Sequence, residues 1–205
     1  MTNSNPLLPI NRNVIGMMLM VVLVSMGEKL ADRFLPLYLM ALGGGALAVG
    51  LLSGSQNLIG AIYSYPGGYL SDRLGYKRAL TIFNLMSLVG YLIAILIPTW
   101  QAALVGAMLF LSWSAISMPA MMSLVTESLP ASQRTMGVTM HALIKRLPMA
   151  VGPLFGGWII ATWGETNGIR YAFIFAAAMT LAAIIAENRL VRDSHKPANN
   201  SSLHP

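Results

Sequence analysis

Residues Gly68-Tyr69-Leu70-Ser71-Asp72-Arg73-Leu74-Gly75-Tyr76-Lys77-Arg78 form a short, basic, polar stretch between two long apolar ones. Gly75 permits a tight backbone reversal, since it has no Cβ to clash in the left-handed region. Asp72 can accept hydrogen bonds from the start of the next helix or pair with a cation. Arg73, Lys77 and Arg78 suit an anionic lipid surface. The flanking runs, 47–70 and 79–97, each approach the roughly 20 helical residues that cross the hydrocarbon core of a bilayer. Four further runs read the same way: 13–40, 101–126, 135–163 and 171–186. Gly43-Gly44-Gly45, Pro98-Thr99-Trp100, the polar 128–133 and Gly164-Glu165-Thr166-Asn167-Gly168 read as the turns between them.

The composition agrees with this pattern. The chain has 205 residues, 56% of them apolar and 10% charged, whereas a soluble domain carries about 25% charged residues. So few charges do not cover a water-facing surface; a bilayer removes that requirement. Residues 1–12 are read as a polar leading segment on a retained first helix, 13–190 as the helical bundle and 191–205 as a disordered tail, with the sequence already polar from Glu187. No cysteine is present, which excludes disulfides and thiolate metal sites.

The net charge of +6 would also fit nucleic acid, but the placement of the charges points to topology. Of the 13 Lys and Arg residues, Arg12, Arg73, Lys77, Arg78, Arg134, Arg189, Arg192 and Lys196 fall on one face of the membrane and Arg170 on the other, with Lys29, Arg33, Lys145 and Arg146 inside predicted helices. The positive-inside rule then places both termini in the cytoplasm. An even number of crossings returns the chain to its starting side, so helix count and charge agree.

The stretch 68–78 resembles the signature loop of the major facilitator superfamily, G-x-L-x-D-R-x-G-R-[KR], and lies between the second and third helices as it does there. Tyr76 departs from the usual Arg. Glu127, followed by Pro130 and Arg134, is similar to the family's acidic residue at the end of helix 4, which implies a pairing with Arg73 or Arg78. Gly152-Pro153-Leu154-Phe155-Gly156-Gly157 resembles the core of the fifth-helix motif of the superfamily's proton-driven exporters, although Pro148 stands where that motif prefers Gly. The resemblance covers residues 10–192. It implies an all-α membrane protein whose six transmembrane helices form one half of a major-facilitator-type bundle. Helices 1 and 4 would line a central cavity, 2 and 5 would stand beside them, and 3 and 6 would face lipid.

The first helix holds Glu28, Lys29, Asp32 and Arg33 after a long uncharged run, and the fifth holds His141, Lys145 and Arg146. A charge at that depth is costly unless it is paired or faces water. Glu28 and Asp32 are four apart and share a face; Lys29 and Asp32 can pair locally. These residues are the candidate proton and substrate cavity: Glu28 or Asp32 carries a proton, with Lys145 or Arg146 as partner. The alternative is a static network holding helices 1 and 5 together. Gln56, Asn57, Tyr63 and Trp113 are further candidates for the cavity lining or for interhelical contacts.

Gly50-x-x-x-Gly54 and Gly152-x-x-x-Gly156 are close-packing signatures, and both helices are expected to border a second six-helix half. That half is supplied by a longer chain, by a separate protein or by a second copy, which would pair in parallel. The function expected is proton-coupled export of a small organic solute by alternating access, in the bacterial cytoplasmic (inner) membrane. Uptake and a non-transporting assembly subunit are the rivals. The expected partners are the lipid bilayer, the second half, a small-molecule substrate and protons, with no nucleic acid. No catalytic or metal constellation stands out, so neither an enzyme nor a cofactor is expected.

Overall fold

The computed structural model describes residues 12–74, 76–113 and 134–190. Among them the chain forms six helices and no strand: α1 (Arg12–Ala41), α2 (Gly45–Leu74), α3 (Tyr76–Leu96), α4, described over Trp100–Trp113, α5 (Arg134–Trp163) and α6 (Glu165–Leu190). Helices α1, α2 and α5 each have 30 residues, about 45 Å at 1.5 Å per residue and ample for a bilayer core. Gly45–Ile62, Lys77–Leu96 and Glu165–Arg189 are long and apolar enough, by length and composition, to cross a membrane.

The turns are built from backbone chemistry. After α1, Gly43 takes φ 83°, its N–H meets Met40 O at 3.0 Å and Gly44 N–H reaches back to Leu39 O at 2.9 Å; this is a Schellman cap. Thr99 opens α4, its hydroxyl accepting from Ala102 N–H at 3.3 Å, as an N-cap residue does. The reading of 164–168 as a turn is corrected. Gly164 alone, at φ 80° with its N–H on Ile160 O at 2.8 Å, reverses the chain, and α6 starts at Glu165 rather than 171. An acid in the first turn favours that start. Gly168 then lets α6 lie against α5, for a Cβ there would stand 2.7 Å from Ile160 Cα. The polar end of the sequence is corrected too: Glu187–Leu190 continue α6, and Glu187 is fully buried.

Helix α1 packs on α6, α5 and α2, and α3 on α6 and α2. Tyr38 (α1), Tyr91 (α3), Phe110 (α4) and Phe173 (α6) lock four helices together. Tyr91 stacks on Phe110 at 4.5 Å between centroids, and Tyr38 meets Phe173 edge-on at 5.2 Å. Gly90 and Gly106 let α3 and α4 touch backbone to backbone, a Cβ on Gly90 meeting Gly106 O at 2.5 Å. Polarity is distributed inside-out. Leu85, Val89, Leu92 and Leu96 on α3 and Ile174, Leu181 and Ile185 on α6 are exposed, while Ser25, Glu28, Asn84, Ser87, Thr180 and Glu187 are buried. Apolar outer surfaces of this extent suit lipid, and the outward faces of α3 and α6 are those the resemblance assigned to it.

Candidate functional site

Helix α1 carries the site. Its charges begin at Glu28, about two turns before Pro36, and Asp32 stands one turn before it. Proline has no N–H to meet the Asp32 carbonyl, so that carbonyl lacks its helical donor and α1 is locally weakened beside the acidic residue. Glu28 is buried, and Lys29 Nζ lies 3.0 Å from Glu28 Oε1 and 3.7 Å from Asp32 Oδ2. From α2, Gln56 Nε2 donates to Asp32 Oδ1 at 3.0 Å. Glu28, Lys29, Asp32 and Gln56, with Ile59, Gly60 and Leu111, line a cavity of about 340 Å³ between α1, α2 and α4. The Glu28 side chain is 3% exposed and that of Asp32 30%. The cavity therefore offers an accessible carboxylate in front, a buried one behind, and one ammonium bridging them. Such a site can hold a proton or a cation.

The structure thus brings Glu28, Lys29, Asp32 and Gln56 together. Arg33 and Arg146 are exposed instead, and the cation that meets the carboxylates comes from their own helix. The side chains of His141 and Lys145 lie outside the described residues. α5 approaches the cluster through glycine: a Cβ on Gly152 would stand 3.3 Å from Lys29 Cβ, and one on Gly156 2.5 Å from the Phe34 ring. Pro153 sits within α5 and Gly157 also faces Phe34. Gly152 and Gly156 of the fifth-helix motif therefore pack against α1, within the half, while Leu154 between them is exposed. Gly50 and Gly54 differ, having nothing within 4 Å of a Cβ.

In the signature loop, Arg73 stands over the Tyr69 ring at 5.1 Å, Lys77 is half-buried and Arg78 exposed. Gly68 and Asp72 belong to the last turns of α2. The Asp72 side chain, Gly75, and Glu127 with its expected pairing lie outside the described residues. Asn57 is exposed and bonds back to Ser53 O at 3.0 Å, Trp113 is buried, and the Tyr63 side chain is not described. A second cavity of about 550 Å³ between α5 and α6, lined by Phe155, Trp158, Trp163, Tyr171 and Phe175 among others, is apolar and aromatic, as a membrane-interface belt is.

The family model described as Major Facilitator Superfamily matches residues 17–205. The chain belongs to this superfamily. Among curated major facilitator proteins it is 26% identical to the quinolone resistance protein NorA of Staphylococcus aureus over 193 residues, 91% of this chain and 47% of NorA. It is 23% identical to the uncharacterized MFS-type transporter YfkF of Bacillus subtilis over 162 residues, 78% of this chain and 41% of YfkF. The chain spans about half the length of the curated relatives it matches. The superfamily places it in the membrane as an integral protein, with an all-helical half-bundle fold.

One buried acidic site escaped the sequence reading. Glu187 accepts from Thr81 Oγ1 at 2.8 Å and from Asn84 Nδ2 at 2.9 Å, joining α6 to α3. Its position in a polar stretch reads as tail. The spacing of Asn84, Ser87 and Tyr91 on one face of α3 was the available signal.

Proposed function

We propose that the chain is the first half of a secondary transporter that exports a small organic solute in exchange for protons. Both termini lie in the cytoplasm, and a second six-helix half closes the cavity. The observation that carries this reading is the α1 cluster: Glu28, Lys29, Asp32 and Gln56 meet in one cavity. Asp32 is the acceptor reached from the cavity. Lys29 holds it and Glu28 in one electrostatic unit, so a proton gained by either carboxylate frees the ammonium for the other. Alternating access then opens the unit to one side of the membrane at a time. The relative named for quinolone resistance supports export and makes a quinolone the first probe to try.

The test is quinolone accumulation in inverted vesicles carrying the complete transporter, driven by an inward-acidic pH gradient. Asp32→Asn and Glu28→Gln are each expected to lower gradient-driven accumulation at least about tenfold, a loss of about 1.4 kcal/mol of driving interaction. Unchanged accumulation in both, and in the double variant, would show that the cluster is a static tie.

A further inference from the structure

Four of the buried polar atoms without a hydrogen-bond partner among the described residues lie on α1 and α3: Ser25 Oγ on α1, and Asn84 Oδ1, Ser87 Oγ and Tyr91 OH on α3. The four residues are at most 1% exposed. A buried polar atom without a partner is unfavourable anywhere, and more so where lipid replaces bulk water. Native interiors meet such atoms with protein groups or ordered water.

The four atoms form a row. Asn84, Ser87 and Tyr91 recur three and four residues apart, which is one face of a helix. Ser25 lies three residues before Glu28 and shares its face. α1 and α3 run parallel and in register. Met20 Sδ meets Asn84 Nδ2 at 3.6 Å. Eight residues after Met20, Glu28 lies within electrostatic reach of Tyr91, itself seven after Asn84 and beside Ser87. The row covers about 10 Å along α3. It starts at Glu28, deep in the bundle, and ends at Glu187, which Asn84 and Thr81 hold near the Arg73 and Arg78 end. Asn84 meets Met20 of α1 and Glu187 of α6, so the row lies where α3 faces both helices.

We propose that this row binds a file of waters linking Glu28 to Glu187, and that protons pass along it between the α1 cluster and the Arg73 end of the bundle. The proton part rests on the reading of Glu28 as a coupling carboxylate. In the packing described the four atoms are sealed, so the waters enter as α3 shifts against α1. A protonated Glu28 gives its proton to the first water, each water passes one on, and the last joins the Glu187 carboxylate. Only O–H bonds form and break; Glu28 ends ionised and Glu187 neutral. Lys29 and Asp32 face Glu28 from the cavity side, and Gln56 of α2 holds Asp32. Thr81 and Asn84 of α3 face Glu187.

The water file is tested on the unmodified full-length protein in nanodiscs, by radiolytic hydroxyl labelling in oxygen-18 water. Tyr91 and Tyr38 are both 0% exposed, and Tyr38, whose hydroxyl donates to Ala94 O at 3.4 Å, is the internal reference. Tyr91 is expected to label several-fold faster than Tyr38, and Ser25→Ala with Ser87→Ala to bring it down to the Tyr38 rate. Equal rates in the unmodified protein would mean a dry row and overturn the proposal. The proton route is tested by the infrared carboxyl signal of Glu28, assigned with Glu28→Gln, after a pH jump. Tyr91→Phe and Ser87→Ala are expected to slow it several-fold with Tm little changed, because among the described residues neither hydroxyl ties one helix to another. An unslowed signal overturns the route even if Tyr91 labels fast. Neither measurement needs a transported solute. A failure of quinolone transport to respond to Glu28→Gln is therefore a separate result, which removes the coupling role and leaves the waters standing.

Discussion

At the scale of single residues, Lys29 is the sharpest test of the α1 cluster. Its ammonium lies within 4 Å of two carboxylates, one of them nearly sealed from solvent. Lys29→Met leaves Glu28 buried beside a second acid. Removing one partner of a buried pair costs about 3–5 kcal/mol, and the low end applies because the Lys29 side chain is 21% exposed. The midpoint of thermal unfolding in detergent is expected to fall accordingly, and Lys29→Met with Glu28→Gln to recover part of the loss, the coupling a double-mutant cycle reads. Additive losses would mean that Glu28 and Lys29 do not act on each other. This cluster was legible in the sequence because charge inside an apolar run has few explanations, and the spacing of Glu28, Lys29 and Asp32 on one helix fixes who can reach whom. The expected partners from helix 5 were not legible: a sequence gives helical spacing but not the rotation of one helix about its axis, and Arg146 turns outward. Glu187 was missed because Thr81 and Asn84, which stabilise its carboxylate within the fold, lie more than 100 residues away in the chain.

At the scale of elements, hydropathy located the helices and turn chemistry their ends. Turns are read at Gly43-Gly44-Gly45 and Pro98-Thr99-Trp100, of which Gly45 and Trp100 already open α2 and α4, whereas 164–168 overstates the loop: a single glycine in the left-handed region ends α5, and the polar residues after it join α6. The two Gly-x-x-x-Gly repeats look alike in sequence and differ in place, with Gly152 and Gly156 against α1 and Gly50 and Gly54 on an open face. The tightest glycine contact is one that no repeat announces, Gly90 on Gly106. Gly90→Ala puts its methyl against a backbone carbonyl that cannot rotate away. It is expected to destabilise by about 1–3 kcal/mol as overpacking does. Gly54→Ala, in open space, is expected to gain the usual helix advantage of about 0.5–1 kcal/mol. Thermal unfolding of the two variants side by side checks the packing of α3 on α4, and equal midpoints would contradict it.

At the scale of the whole molecule, the open face of α2 bears on whether a second half docks there. Around Gly50 and Gly54 the face shows Ser53, Asn57 and Leu58, all exposed, with Ser53 and Asn57 side chains bonded to their own helix backbone. Lipid has no use for small polar side chains, while a helix packing at short range does. The face of α3 at Val89 is apolar and large, which suits lipid alone. The chain contains no cysteine, so Gly54→Cys and Val89→Cys each place one spin label within it. If a second half covers α2 as proposed, oxygen dissolved in the acyl chains of the complete transporter is expected to collide often with the label at 89 and seldom with that at 54. In the 205-residue chain made alone, both labels are expected to meet oxygen freely unless two copies pair through α2, in which case dilution in detergent restores access at 54. Free access at 54 in the complete transporter would remove α2 from the interface between halves and leave the cavity at Asp32 to be closed by some other surface.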